Sequence, residues 1–228
     1  MNQDQMWEAY QNDEAFNGVG CPGGGRHEFL LKRVMPNARA LSIGVGSGAF
    51  EEMLVQSGTD LSCLDPSKTS IERIREKLSL GEKAKVGYSQ SIPFADCSFD
   101  YVIMTEVIEH LNDIVLEDTL LEVKRVLKSG GRFIGTVPAD ENLNEGLVVC
   151  PHCAERFHRW GHQQSFSQTD LLRILRKQFA SVNVKRLFAP DYRRLNWKGK
   201  VTSFLKMLQA ACGLKGSRQN YYFEAVKN

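Results

Sequence analysis

Nowhere in its 228 residues does the chain carry an apolar run of membrane-spanning length, for which about 20 consecutive apolar residues are needed. Its opening residues, Met1 to Tyr10, are polar and acidic, without the basic start and apolar centre of a secretory leader. Charge of one sign is also scarce. A net charge of +2 does not mark a dedicated nucleic-acid binder. Cysteine is thinly used: six residues, unevenly spaced, with only one close pair. That suits a reducing compartment better than a disulfide framework, so a cytoplasmic protein is expected. What remains is a chain 42% hydrophobic, long enough to bury a full core in one domain.

The chain is organised around Leu41-Ser42-Ile43-Gly44-Val45-Gly46-Ser47-Gly48-Ala49-Phe50. A short apolar run breaks into alternating glycines and re-enters an amphipathic segment with Phe50, Met53 and Leu54. The pattern predicts strand, tight turn, helix. Glycines there let the backbone approach a ligand laid across the turn, and the helix start offers N–H groups to an anionic group. About 20 residues on, a second apolar run ends in Asp65, an acid placed to accept hydrogen bonds from ribose hydroxyls. A nucleoside cofactor follows. The glycines alone also fit the loose dinucleotide pattern, so they do not exclude NAD.

The rest of the chain alternates. Ile71, Ile74 and Leu78 form one helix face after Pro66-Ser67, and Lys85 to Tyr88 reads as a third strand. Phe99 to Met104 is a buried strand ending at Thr105-Glu106. A long helix with Leu116, Leu120, Val123 and Leu127 inward closes at Gly130-Gly131, and Arg132 to Val137 is another strand. Strands alternating with helices argue for a parallel sheet covered on both faces.

The succession LSIGVGSG, LDPS, SIPFADCSFDYVIMTEVIEHL and VLKSGGRFIGTVP, spanning Ala40 to Pro138, resembles the class I S-adenosylmethionine-dependent methyltransferases, type 11-like. The resemblance implies a Rossmann-like, seven-stranded, mostly parallel α/β sheet with helices on both faces. Phe179 to Leu187 would be its sixth strand and Tyr221 to Val226 its antiparallel last one. It implies a single domain over 1–228, with an N-terminal helical cap (1–36), a Cys/His insertion (139–165) and a basic helical cover (190–215). Gly44, Gly46 and Gly48 would meet the methionine part of S-adenosylmethionine, with Ser42 behind them on the first strand. Asp65 would hold the ribose, Ser89 and Gln90 would border the adenine, and Thr105-Glu106 would lie below the sulfonium. Two positions depart from the family: Ser42 and Tyr88 stand where acids are usual, so a substituted contact is expected. His110 and Glu106 are the candidate general bases for methyl transfer to an oxygen or nitrogen of a small-molecule, glycan or lipid-linked acceptor.

Within the insertion, Cys150 and Cys153 have C-x2-C spacing, and His158 and His162 stand four apart. Two thiolates and two imidazoles make the tetrahedral set zinc prefers, and a filled set is structural. The loop resembles a Cys/His loop of some bacterial methyltransferases of unknown substrate. A competing use of the histidines comes from Glu106-x-x-Glu109-His110, which is similar to the metal-dependent RNA 2′-O-methyltransferases. A degenerate methyltransferase acting as a binding scaffold is the non-enzymatic alternative. From Pro190 to Lys215 the chain is basic: Arg193, Arg194, Lys198, Lys200, Lys206 and Lys215 surround an apolar stripe of Val201, Phe204, Leu205 and Leu208. The expected outcome is a helix covering the substrate side of the sheet, with peripheral membrane contact through 198–213 as the other use of such a pattern.

Overall fold

In the computed structural model, residues 3–12, 24–192, 195–216 and 219–228 are described. Most of the glycine-rich loop after the first helix, and Arg193 and Arg194, lie outside them. Numbered in chain order, the strands are β1 (Arg39–Ile43), β2 (Asp60–Asp65), β3 (Ala84–Val86), β4 (Phe99–Thr105), β5 (Leu127–Pro138), β6 (Leu147–Val149), β7 (Arg156–His158), β8 (Ser181–Leu187) and β9 (Asn220–Val226). The helices are α1 (Gln3–Asn12), α2 (Gly24–Leu31), α3 (Ala49–Gln56), α4 (Lys68–Leu78), α5 (Asp113–Val126), α6 (Gln168–Leu175) and α7 (Trp197–Ala211).

Seven strands form one sheet in the order β3-β2-β1-β4-β5-β9-β8, and β6 and β7 form a separate hairpin. Pairing is parallel from β3 through β5, while β9 runs antiparallel to both its neighbours. The expected seven-stranded, mostly parallel sheet with an antiparallel last strand is therefore observed. Its two faces carry separate cores, because successive side chains of a strand point to opposite sides. Val102 and Met104 of β4 join Leu116 and Leu120 of α5 and Leu171 and Leu175 of α6 on one face. Tyr101 and Ile103 join Leu30 of α2, Phe50 and Leu54 of α3, and Ile71 and Ile74 of α4 on the other.

Local chemistry sets the helix ends. Ser67, Asn112 and Ser167 cap α4, α5 and α6, each side chain accepting from a backbone N–H three residues on, which satisfies one orphan donor of the first turn. The helix expected to close at Gly130-Gly131 stops earlier, at Val126. Cys97 and Ser98 donate their backbone N–H groups to the Arg125 and Val126 carbonyls, ending the helical ladder, and β5 begins at once. The two glycines pair with Lys227 near the carboxyl terminus. A second difference concerns α7. Its apolar stripe does not cover the sheet: Val201, Phe204, Leu205 and Leu208 are exposed, and Ser203 and Ala210 are buried in their place.

Every parallel strand ends at one edge of the sheet. Registers align Ile43 with Leu64 and Met104, Thr105 with Thr136, Pro138 with Asn220, and Leu187 with Asn220. Loops leaving this carboxyl edge form the crevice where open α/β sheets bind ligands. Phe223, fully buried, packs on Phe133 with ring centroids 4.9 Å apart, and Gly135 is required beside it, since a Cβ there would lie 2.5 Å from the Phe223 ring. Phe223→Ala is expected to cost about 3–5 kcal/mol. Urea denaturation measures it, and a loss below about 1 kcal/mol would show that this aromatic layer does not hold β5 to β9.

Candidate active site

The turn after β1 is built as its glycines required. Gly44, Gly46 and Gly48 all have positive φ, a region costly for residues with a Cβ. At Gly46 no atom of the described residues lies within 4 Å of where a side chain would stand, so among them the backbone faces an open approach. Asp65 anchors the turn from below: one carboxyl oxygen accepts the Val45 N–H at 2.8 Å and the other accepts the Ser67 N–H at 2.8 Å. Burial pushes its carboxyl up, while these N–H groups oppose the shift. Each oxygen thus accepts at least one backbone N–H.

The acid absent from position 42 comes from another element. Glu51 of α3 is buried, and its Oε1 accepts the Ser42 hydroxyl at 2.6 Å. An acid on the same face as Phe50 and Leu54 was the available signal, and sequence reading passed over it. Desolvation pushes its carboxyl up to about 7. The stretch expected beside the adenine offers fewer free side-chain groups. Ser89 is buried, its hydroxyl turned to that of Thr119 on α5 at 2.8 Å. Gln90 is half-buried beside it and Tyr88 is exposed.

Glu106, just past Thr105 at the end of β4, has φ 55, a left-handed conformation rare outside glycine. Its two oxygens each accept from Asn220 Nδ2 at 3.0 Å, and Arg26 of α2 lies 3.2 Å from one of them. Neither partner was foreseen, because both come from segments remote in sequence. The cap reaches the site as well. Glu8 of α1 accepts the Ser67 hydroxyl at 2.5 Å. Arg73 joins Asn12 to the Gly46 carbonyl, both contacts at 2.6 Å. Trp7 packs edge-on against His110, and Tyr10 meets Trp160 and donates to the Arg159 carbonyl. Helix α1 thus bridges α4 and the insertion across the crevice.

The expected zinc set of Cys150, Cys153, His158 and His162 is not assembled. In the β6–β7 hairpin, Leu147 pairs with His158 and Val149 with Arg156, and Cys150 donates to the Glu155 carbonyl to close the tip. The thiols sit at the tip and His158 at the base, roughly 10 Å away at about 3.3 Å per residue. The histidine rings stack at 4.6 Å, brought together by a turn rather than a helix, and they face an acid. His162 Nδ1 lies 2.5 Å from Glu141 Oε2, and His158 Nε2 lies 3.8 Å from Glu141 Oε1.

A different cluster forms at the base. Ligand-capable atoms of Glu109, His110 and His162 all lie within 4.8 Å of one another. Glu109 is 1% exposed, and neither of its carboxyl oxygens has a hydrogen-bond partner among the described residues. The Gly161 carbonyl, 3.2 Å from His110 Nδ1, only accepts, so Nδ1 carries the ring proton. Glu141 fixes the His162 proton on Nδ1 in the same way. That leaves Nε2 of His162 as its lone-pair nitrogen, the arrangement that outer-shell acceptors impose on metal-binding histidines, while the His110 ring is held by the Glu106 backbone as well. Glu106, expected as a further ligand, is turned to Asn220 and Arg26 and does not join. Burial, with His162 beside it, pushes the His110 imidazole down to about 3, which leaves a weak base.

Two outcomes follow. Between about pH 4.5 and 7 the folded chain holds a proton on Glu51 that the unfolded chain releases, so stability from this group is complete below pH 4.5 and lost as pH rises to about 7. Glu51→Gln should flatten that slope and gain on the order of 2–3 kcal/mol above pH 7. Melting curves across pH 4.5–8 read it, and an unchanged slope assigns the titration elsewhere. Cys150→Ser should leave both metal content and melting temperature unaltered, as elemental analysis and calorimetry would record; loss of bound zinc would restore the tip as a zinc site.

A family model described as a methyltransferase domain matches residues 41–135. A protein of Methanocaldococcus jannaschii is 33% identical over 117 residues, 50% of this chain and 52% of that one. YrhH of Bacillus subtilis, named as a methyltransferase, is 32% identical over 118 residues, 49% of this chain and 63% of that protein. The chain thus spans between half and two-thirds of the length of these relatives. The match to the ubiquinone biosynthesis O-methyltransferase of Pelagibacter ubique is longer: 30% identity over 184 residues, 74% of this chain and 71% of that enzyme. The same fold occurs in a Burkholderia thailandensis 1,6-didemethyltoxoflavin N1-methyltransferase with bound S-adenosylhomocysteine (TM-score 0.67, 14% identity, 98% and 86% of the two chains covered). It also occurs in a chain of the Haloferax volcanii complex containing the Trm112 methyltransferase activator (TM-score 0.66, 19% identity, 97% and 98% covered). With 30% identity to the Pelagibacter ubique O-methyltransferase over more than two-thirds of both chains, the chain belongs to the class I S-adenosylmethionine-dependent methyltransferases.

Proposed function

We propose that this chain transfers the methyl group of S-adenosylmethionine to an oxygen or nitrogen of a small-molecule, glycan or lipid-linked acceptor. The observation that carries the reading is the open backbone at Gly46, framed by the Glu51 and Asp65 carboxyl groups. Glu51 and Ser42 would take the cofactor's ammonium, supplying the contact that position 42 lacks. Asp65 would take the ribose hydroxyls with its remaining lone pairs. Gln90 and the Ser89 backbone would flank the adenine, and Thr105 would stand near the sulfonium. Rate enhancement would come mainly from holding acceptor and methyl in line. Of the two expected bases, Glu106 suits the role better: its side chain is 22% exposed and positioned by Asn220 and Arg26, whereas His110 is buried and weakly basic. Calorimetry with S-adenosylhomocysteine tests the reading. Tight binding is expected, weakened roughly tenfold or more by Asp65→Ala, which removes a charged acceptor worth about 1–3 kcal/mol. No binding by the unaltered chain would favour a degenerate, scaffold-type member.

A second reading concerns the acceptor side. The unpartnered Glu109 carboxyl and the two oriented imidazoles fit a divalent ion held by Glu109, His110 and His162, with Glu141 and the Gly161 carbonyl as outer partners. One carboxylate and two imidazoles suit manganese, iron(II), cobalt or zinc better than calcium. Such an ion, when bound, supplies a Lewis acid that lowers the pKa of an acceptor hydroxyl. The similarity to a ubiquinone biosynthesis O-methyltransferase favours oxygen as the acceptor atom. Equilibrium dialysis against cobalt(II), read by its visible absorption, is expected to give one bound ion, lost in Glu109→Gln and in His162→Ala. Equal retention by the unaltered chain and both variants would remove the metal from the reading.

A further inference from the structure

We infer that the outward face of α7 docks on an anionic lipid surface and sets the mouth of the crevice against it. The apolar stripe at Trp197, Val201, Phe204, Leu205 and Leu208 points to solvent, with Trp197 71% and Leu205 60% exposed. At about 100° per residue, Val201 and Leu208 lie nearly opposite the buried Ser203 and Ala210. Lys198 and Lys200, both exposed, fall on the two flanks of the stripe. A helix resting on its protein by small residues, with apolar bulk outward and lysines at both margins, has the geometry of an interfacial helix.

Charge identifies the occupant. From Tyr192 to Phe223 the chain has no Asp or Glu, yet it carries seven basic residues: Arg193, Arg194, Lys198, Lys200, Lys206, Lys215 and Arg218. A stretch so one-sided is complementary to acidic headgroups, which add about fivefold in partitioning per basic residue near the surface. A homotypic contact would set these like charges against each other. No helix among the described residues is long and apolar enough to cross a membrane, so contact would be peripheral.

Topology links this face to the crevice. The segment carrying α7 leaves the sheet at Leu187 and returns at Asn220, a directly paired couple at the carboxyl edge. Asn220 is the residue that holds Glu106. A lipid surface under α7 therefore lies at the same end of the molecule as the glycine turn, a position suited to an acceptor drawn from the lipid phase. Only this last link rests on the methyltransferase reading; docking itself does not.

Sedimentation of the full chain with phosphatidylglycerol–phosphatidylcholine vesicles, against pure phosphatidylcholine, tests the proposal. Binding is expected to the acidic vesicles at low salt. It should fall at least tenfold in Lys198→Glu/Lys200→Glu and be abolished in Phe204→Glu/Leu208→Glu, with melting temperature and S-adenosylhomocysteine binding unchanged because these side chains are exposed. Trp197 fluorescence should shift to the blue on binding, and the shift should vanish in Trp197→Phe. The proposal is overturned if no binding occurs at low salt. It is equally overturned if Phe204→Glu/Leu208→Glu binds like the parent, or if the stripe instead drives self-association in analytical ultracentrifugation. Loss of cofactor binding with vesicle binding intact would count against the methyltransferase reading and leave the docking face standing.

Discussion

The carboxyl edge of the sheet depends on one buried carboxylate. Asp65 accepts the backbone N–H of Val45 from the glycine turn and that of Ser67 from the start of α4. Two loops that would otherwise move separately are thereby fixed to the end of β2. Three glycines with positive φ make the turn bendable; the carboxylate selects one bend. Backbone donors aimed at a charged acceptor in a desolvated site hold such geometry more firmly than neutral pairs do. Helix α1 adds a strap through Glu8, Asn12 and Arg73.

Burial of acids is the recurring electrostatic feature of this edge. Asp65, Glu51 and Glu109 are each buried, and in each case desolvation raises the carboxyl. They differ in compensation. Asp65 has backbone donors and Glu51 has the Ser42 hydroxyl, while among the described residues Glu109 has no hydrogen-bond partner for either oxygen. A buried carboxyl without partners is costly unless a cation or a proton completes it. That difference separates the acids around the glycine turn, each met by a donor, from Glu109, which is met by none among the described residues.

The two ends of the insertion behave differently. Its tip carries Cys150 and Cys153 exposed to solvent or nearly so, close in sequence and remote from the His158 and His162 rings. Its base carries His158 and His162, drawn to Glu141 and toward His110. Antiparallel register decides this: once Leu147 faces His158, no rotation of side chains can bring the thiols to the rings.

Much of this protein was legible in the residues themselves. The glycine turn, the alternation of strands and helices, and the serine opening α4 are local signals, each expressed within a few residues, so a parallel sheet covered on both faces followed from them, while its seventh, antiparallel strand followed from the family resemblance. The cap at Ser67 and the end of β2 stand where the local chemistry put them. What lay out of reach needed segments far apart to meet. Glu51 substitutes for an acid at position 42 only because α3 folds back over β1. Asn220 holds Glu106 across 114 positions. The ring contacts of His162 were decided by a hairpin register that four-residue spacing cannot express. The direction of the α7 stripe was undetermined for the same reason. Periodicity says that a helix has an apolar face, but only its packing on Ser203 and Ala210 decides whether that face meets the sheet or the solvent.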